Sequence, residues 1–403
     1  MNEIIVQKFG GTSVGSVERI DAVAEIIKKA SQSNRIVVVV SAMGGETNKL
    51  VNLAKNFSDN PDKREFDALV ATGETVSSAL LAMALHSKGL KAKSYSASQI
   101  SMRTTDSFSK AKILDVDAKK ILEVLEEDTI PIITGFQGIT ETGDVTTLGR
   151  GGSDTTAVAI AAQVKAERCD IYTDVDGIYT TDPKIVPNAK KLDSITMEEM
   201  LELAGQGAKV MQTRAVEFAN KYEVPVRVLS SFNDGKGTLI SLKEDTMENA
   251  LVSGIASQKN QVKFTLHGVG DIPGTAFKIL GPISDAEVEV DVIVQNVSVD
   301  GKTDFTFTVS SEDQGTVNKV IQEMNDVEYK ELIVNSDIAK VSLVGVGMRS
   351  QAGVASRAFK ALSEKDVNIQ IICTSEIKIT MVIDESLVDK AVKVLHEEFE
   401  LDK

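Results

Sequence analysis

Lys8-Phe9-Gly10-Gly11-Thr12-Ser13 places a lysine and two glycines where a strand-like run, Ile4–Gln7, gives way to a helical pattern. Paired glycines let backbone N–H groups approach an anion, a helix N-terminus adds partial positive charge, and Lys8 adds a full one. A Gly-Gly turn alone is equally a tight turn beside a surface lysine. A second string, Thr147-Leu-Gly-Arg-Gly-Gly-Ser-Asp-Thr-Thr-Ala157, is more specific. It too opens a helix, with Arg150, Ser153 and Asp154 at its mouth. Arginine suits two-pronged recognition of a carboxylate or phosphate, and Asp154 suits either chemistry or helix capping.

Three further segments carry weaker signals. Thr173-Asp-Val-Asp-Gly-Ile-Tyr179 follows an apolar run and leads to Asp182-Pro183. Its DxDG string lacks the third carboxylate and the distal Glu of a calcium loop, so a strand-to-loop turn is the simpler account. Ser41-Ala-Met-Gly-Gly-Glu-Thr47 follows another apolar run, and Gly73-Glu74 opens an apolar helix. The sequence has no GxxxxGK[ST] and no HRD or DFG set, so neither a P-loop enzyme nor a protein kinase is described, and the second string lacks the GxGxxG spacing of a dinucleotide fold, which weakens an oxidoreductase reading. His86, His267 and His396 have neither HExxH nor partner spacing and read as structural. Cys169 and Cys373 form no CxxC, so neither zinc nor a disulfide framework is indicated.

The elements that must position these residues alternate over the first ~245 positions, β-branched runs with amphipathic stretches, as in βαβ layers. Ile4–Gln7, Ile36–Val40, Ile130–Thr134, Cys169–Thr173 and Val224–Val228 read as buried parallel strands. Val17–Ala30, Val76–Ser87 and Thr155–Ala166 read as helices, and Glu198–Phe218 as two helices split near Gly205 and Gly207. Lys8, Ser41, Gly135 and Thr173 fall at carboxyl ends of strands, where parallel sheets gather ligands, so one shared cleft is expected. A turn-rich Asn233–Lys236, then Leu239–Leu242 and a polar Lys243–Asn249, mark a boundary. Beyond it an internal repeat appears: Gly268-Val-Gly-Asp-Ile-Pro-Gly resembles Gly345-Val-Gly-Met-Arg-Ser-Gln-Ala-Gly, and each half reads strand, Gly-rich turn, helix, strand, strand, helix. That is the ferredoxin-like order. The expected organisation is an α/β catalytic domain over 1–245, a first small module over 250–340, and a second over 341–403 completed by a strand from 250–262.

Composition narrows the partners. The 403 residues carry 44 Lys+Arg against 59 Asp+Glu, a net charge of −15, with no Trp and 4% aromatics. Nucleic-acid binding, which needs clustered cations or stacking platforms, has no support. The longest purely aliphatic run, Ile36–Val40, is too short to cross a bilayer, and the start shows no export pattern, so a cytoplasmic protein without a membrane partner is expected.

Taken together, KFGGTSVGS, VVVVSAMG, ATGE, TLGRGGSDTTA and YTDVDGIYTTDP resemble the aspartate kinases of the amino-acid kinase family, and the C-terminal repeat resembles their paired ACT domains. The resemblance covers essentially the whole chain. It implies the amino-acid kinase fold, a mostly parallel sheet with helices on both faces, followed by two βαββαβ ACT domains. It implies transfer of the γ-phosphoryl of ATP, with Mg²⁺, to the side-chain carboxylate of L-aspartate. Lys8, Phe9, Gly10 and Gly11 are implied at the ATP phosphates, and Thr173, Asp174, Tyr179, Lys184 and Lys209 at the borders of the nucleotide. Position 184 is often arginine in the family. Ser41, Thr47, Glu74, Phe136, Arg150, Gly151, Gly152 and Ser153 are implied around aspartate, with Glu74 on its ammonium and Arg150 on a carboxylate. Asp154 is implied to orient Lys8 or to help hold metal and phosphates.

The ACT resemblance implies feedback by lysine, threonine or both, and a homo-oligomer formed through these domains. Asp271, Ile272, Pro273, Gly274, Thr275 and Ala276 form one implied effector loop. Gln295, Asn296 and Val297, with Asn368, Ile369, Thr374, Ser375 and Glu376, are implied to line the same region. The second loop, MRSQAG, lacks the Asp-x-Pro-Gly string, so the two sites need not be equivalent. An internal start near Met247 would yield a separate small subunit. Two other readings stay open on sequence: another amino-acid kinase, or a catalytically silent amino-acid-binding subunit.

Overall fold

Five near-continuous apolar runs become buried strands in the computed structural model, which describes residues 3–208, 210–242, 251–296, 301–349 and 351–403. The chain packs as two compact units: Met1–Tyr179 with Lys191–Gly205 and Lys209–Asn249, and Ala250–Lys403 with Thr180–Lys190 and Gln206–Ala208.

The first unit's strands are β1 (Ile4–Phe9), β2 (Arg35–Val40), β3 (Ala92–Tyr95), β4 (Arg103–Thr104), β5 (Ile113–Asp115) and β6 (Ile130–Thr134). They continue as β7 (Gln137–Ile139), β8 (Val145–Thr147), β9 (Arg168–Thr173), β10 (Ser194–Thr196), β11 (Val226–Ser230) and β12 (Thr238–Ser241). Eight of them form one sheet in the order β10-β12-β11-β9-β1-β2-β6-β3. Its pairs are parallel except β11 with β12. A small second sheet, β5-β4-β7-β8, was not legible in the sequence, because strands of two or three residues leave no periodicity to read.

The helices are α1 (Val17–Ser31), α2 (Glu46–Lys55), α3 (Lys63–Val70), α4 (Thr72–Ser87), α5 (Ala118–Glu126), α6 (Gly152–Gln163), α7 (Met197–Gly205) and α8 (Thr213–Lys221). Ser16 caps α1 by accepting the Arg19 N–H, one orphan donor of the first turn satisfied. The helical pattern over 198–218 does break near its two glycines. Helix α6 begins at Gly152 rather than at Thr155, and every residue from Gly152 to Ala161 is buried. The motif residues Ser153 and Asp154 therefore sit inside the first turn of a central helix. Among the described residues, the helical run Lys63–Ser87 is long and apolar enough to cross a membrane by length and composition. Half of its most apolar window is buried inside the fold. On one face of the sheet, Ile5, Phe9, Ile36, Val38, Val40 and Ile132 pack with Ile20, Val23 and Ile27 of α1 and Leu81 and Leu85 of α4.

The second unit is built on one sheet, β14-β15-β13-β16-β18-β17, from β13 (Gly254–Gly270), β14 (Ile293–Gln295), β15 (Lys302–Ser310), β16 (Glu331–Val344), β17 (Ile371–Thr374) and β18 (Lys378–Asp384). Helices α9 (Thr275–Asp285), α10 (Gln314–Glu323), α11 (Val354–Ser363) and α12 (Val388–Glu398) alternate with them. The two middle strands are long because each serves both halves. Gln261–Gly270 pairs with β15, while Gly254–Gln258 pairs with Lys340–Val344, which in turn pairs with β18. Phe264 and Phe307 stack in its core at a centroid distance of 5.4 Å, both fully buried. Phe264→Ala should cost about 3–5 kcal/mol, read as a lowered calorimetric unfolding midpoint.

Candidate functional site

Parallel register fixes the site. The ladder continues one residue past each strand: Gly10 N–H donates to Tyr172 O (3.1 Å), Ser41 N–H to Phe9 O (3.1 Å), and Gly135 N–H to Val40 O (2.9 Å). The loops after β9, β1, β2 and β6 are thereby stitched side by side at one edge, and Ser231 N–H extends the row by donating to Thr173 O (3.0 Å).

Lys8 leaves the central strand buried, with Nζ 2.5 Å from Asp154 Oδ1 on the first turn of α6. That oxygen accepts no hydrogen bond in proper geometry, so the contact is one of charge. Asp154 does not cap the helix: its N-cap is Gly151 in a left-handed conformation, with no side-chain cap. The amine lies close to the glycine turn, since a Cβ at Gly10 would stand 3.5 Å from Nζ.

The second loop meets the first closely. A Cβ at Gly11 would lie 3.0 Å from Ala42 O. Ala42 N–H donates to Glu74 Oε1 (3.1 Å) on the first turn of α4, and Ser77 Oγ donates to Ser41 O (2.7 Å). This approach requires Gly73, where a Cβ would stand 2.7 Å from the Ala42 methyl. Glu74 is 3% exposed, and its Oε2 has no hydrogen-bond partner among the described residues. Burial pushes its carboxyl up to about 7, against the hydrogen bond from Ala42. Thr47 lies half-buried in the first turn of α2.

The third and fourth loops close on each other. A Cβ at Gly135 would stand 2.6 Å from Ser153 Oγ, so only glycine fits. Phe136 follows with φ of 68°, strained for an aromatic residue. Its N–H donates to Thr156 Oγ1 (3.2 Å), and its carbonyl accepts from Leu148 N–H (2.9 Å). Ser153 is buried, whereas Arg150 is exposed and free of partners among the described residues.

The structure thus joins Lys8, Gly10, Gly11, Ser41, Glu74, Gly135, Phe136, Gly152, Ser153 and Asp154 through direct contacts. Phe9 stacks on Tyr172 at 4.7 Å, beneath the strand ends. Thr173 donates from its hydroxyl to Asp174 (3.1 Å), and Tyr179 from its hydroxyl to Asp176 (2.8 Å). Lys184 is exposed in the stretch that folds with the second unit, its N–H on Asp182 (2.9 Å). Lys209 lies outside the described residues. The three histidines serve elsewhere, on Ala92 O, Asp304 and Thr180.

In the second unit, Gln295 Nε2 reaches Asp271 Oδ1 (3.4 Å), and Thr303 donates to Asn296 O. Gly274, at φ of 95°, opens α9, which starts at Thr275 and runs on through Ala276 beside exposed Ile272 and Pro273. Val297 is outside the described residues. Within one chain Thr374, at the end of β17, stands apart from this region; the resemblance places the shared region where one ACT domain packs on another, often across a dimer. Strands β14 and β17 are opposite edges of the sheet, five strand spacings or about 24 Å apart.

Sequence reasoning passed over Asp67, Gln137 and Arg214. Each acts on backbone far away along the chain, and only the burial of an acid inside EFDALVATGE could have hinted at the first.

The fold and its loops have counterparts. The model of the amino acid kinase family matches residues 3–230, and an ACT domain model matches 341–399. An aspartate kinase of Stutzerimonas stutzeri is 56% identical over 402 residues, covering 99% of this chain and 98% of the relative. The crystal structure of Escherichia coli aspartokinase III with aspartate and ADP superposes with a TM-score of 0.84 at 28% identity, over 98% of this chain and 99% of that one. The same enzyme with lysine and aspartate gives 0.77 at 29% identity, with the same coverage.

One consequence is independent of any ligand. Because Glu74 titrates near 7 when folded and near 4.5 when unfolded, the native state holds a proton that the unfolded chain has already released between those values. Stability contributed by this group is present below the window and lost as pH rises through it, by about 3 kcal/mol. Urea unfolding of Glu74→Gln, set against the parent protein from pH 5 to 8, should lack that slope.

Proposed function

The chain belongs to the amino acid kinase family, among its aspartate kinases, and on that premise we propose how its residues divide the work. The enzyme transfers the γ-phosphoryl of ATP to the side-chain carboxylate of L-aspartate, giving 4-phospho-L-aspartate, the entry step to lysine, threonine and methionine synthesis. The observation that carries the assignment of the acceptor end is the buried, unpaired oxygen of Glu74. An ammonium placed there supplies the missing partner and favours the ionised form. Arg150, exposed and free, takes a carboxylate, with Ser41, Thr47, Phe136, Gly151, Gly152 and Ser153 shaping the same end.

The donor end falls to Lys8, Phe9, Gly10 and Gly11. The acceptor carboxylate, with an ordinary pKa near 4, is ionised at neutral pH and needs no base. What remains is to bring two anions together and to balance charge on the transferred group. Lys8 Nζ offers that charge, and Asp154 holds the amine near the glycine turn. Thr173, Asp174, Tyr179, Lys184 and Lys209 border the nucleotide.

Among the described residues no cluster of three acidic, His or Cys groups could hold a metal. Mg²⁺ takes few protein ligands and rides on phosphates. Asp154, with an oxygen accepting no hydrogen bond, and Asp174 are the carboxylates that would face it. When bound, the ion supplies charge neutralisation at the phosphates.

End-product feedback acts through the second unit, whose first half we read as another ACT domain. Lysine accompanies the Escherichia coli enzyme in a solved structure, and we take lysine, alone or with threonine, as the effector here. Because β14 and β17 lie on opposite edges, a second copy of the chain brings the two edge regions together in a homo-oligomer. An internal start at Met247, outside the described residues, would add a small subunit. The enzyme works in the cytoplasm with the synthesis it feeds.

Lys8→Ala should lower kcat on the order of 10²–10³-fold with a smaller change in KM, measured as aspartate-dependent ADP release. Near-normal turnover of a folded variant removes Lys8 from the mechanism. In the same assay lysine should inhibit, and Thr374→Ala or Asp271→Ala should weaken that inhibition while leaving basal turnover intact.

A further inference from the structure

Asp67 of α3 is fully buried, and every acceptor position it offers is used. Oδ2 accepts from Ser109 N–H (2.8 Å) and Thr147 N–H (2.7 Å), and Oδ1 from the hydroxyls of Ser109 (3.0 Å) and Thr147 (2.9 Å). Thr147 ends β8, and the chain then runs through Leu148 and Gly149 to Arg150.

The same helical run carries Glu74. Lys63–Ser87 is nearly continuous, and Asp67 and Glu74 are seven residues apart, two turns and about 10 Å along one face. A second bolt lies one turn from the first: Gln137, the register partner of Thr147, donates through Nε2 to Ala71 O. From the other side Arg214 donates to Leu148 O (3.0 Å) and Ala111 O (2.9 Å). The β7–β8 hairpin and the loop it launches are therefore fixed to the helix that carries Glu74.

We propose that Asp67 is a positioning residue for this reaction: it fixes the Arg150 loop against Glu74, so that a two-point grip on the substrate's ammonium and carboxylate sets where the acceptor oxygen arrives. The proposal rests on the assignment of Glu74 and Arg150 to aspartate. A grip of fixed span also discriminates by length. An amino acid one methylene longer delivers its acceptor oxygen about 1 Å out of place, a displacement that costs up to ~10²-fold in rate.

The test compares Asp67→Ala, Asp67→Asn and Arg150→Ala in the full chain, reading kcat and KM for aspartate, KM for ATP, and turnover with glutamate. Asp67→Ala should raise KM for aspartate about tenfold, leave KM for ATP within about twofold, and narrow the preference for aspartate over glutamate. Asp67→Asn should recover most of the loss. Its amide oxygen keeps the two N–H donors, while its NH₂ meets two hydroxyls that can turn to accept. Arg150→Ala separates the two levels: unchanged KM for aspartate there sinks the underlying assignment. If Arg150→Ala raises that KM but folded Asp67→Ala does not, or if Asp67→Ala raises both KM values alike, the positioning role is overturned. Should Asp67→Ala fail to fold, Thr147→Val, which deletes only a hydroxyl, is judged by the same criteria.

Discussion

An amine and a carboxylate at 2.5 Å, both nearly out of water, tie the first strand of the chain to the first turn of α6. Such a pair is a poor way to gain stability, because desolvation of both charges offsets most of their attraction. It holds a cation at the carboxyl edge of the central strand, largely out of water. The placement follows from topology. β1 lies between β9 and β2, so its end has loops on both sides, and α6, buried over its first ten residues, brings Asp154 up against it.

The remaining loops are held by closeness rather than by charge. Gly73 and Gly135 sit where any methyl would collide with a neighbouring loop or helix, so the loops at this edge are assembled by backbone approach. The strained Phe136 and the half-paired Glu74 mark the cost. A carboxyl pushed up to about 7 in the free protein is one whose environment is incomplete without a cation.

In the second unit the long strands β13 and β16 fuse two repeats into one sheet, leaving β14 and β17 as its edges. Edge strands offer unpaired backbone groups, and here Gln295 of β14 stands on one edge and Thr374 of β17 on the other. Regulation through such a unit depends on what meets those edges.

The five central strands β1, β2, β6, β9 and β11 and most helices of the first unit were legible, because buried parallel strands are apolar throughout and helices in contact with them keep a clear period. The glycine strings with Lys8 and Arg150 stood out by residue type and spacing, whereas Glu74 opened a helix as any first-turn acid does and was picked out only by the resemblance of the combined strings. The start of α1 at Val17 was read where it lies, but α4 and α6 begin three or four residues earlier than read: Gly152, Ser153 and Asp154 look like loop residues until the sheet buries them. The short strands of the small sheet, and Asp67, Gln137 and Arg214, left no mark, since their partners lie far off in sequence. The repeat announced two modules but not that β14 and β17 stand on opposite edges of one sheet. Residue order determines which groups can accept, donate or carry charge. Only the tertiary structure decides which are stripped of water and which face each other, because burial and strand order depend on contacts between segments that the linear chain keeps apart.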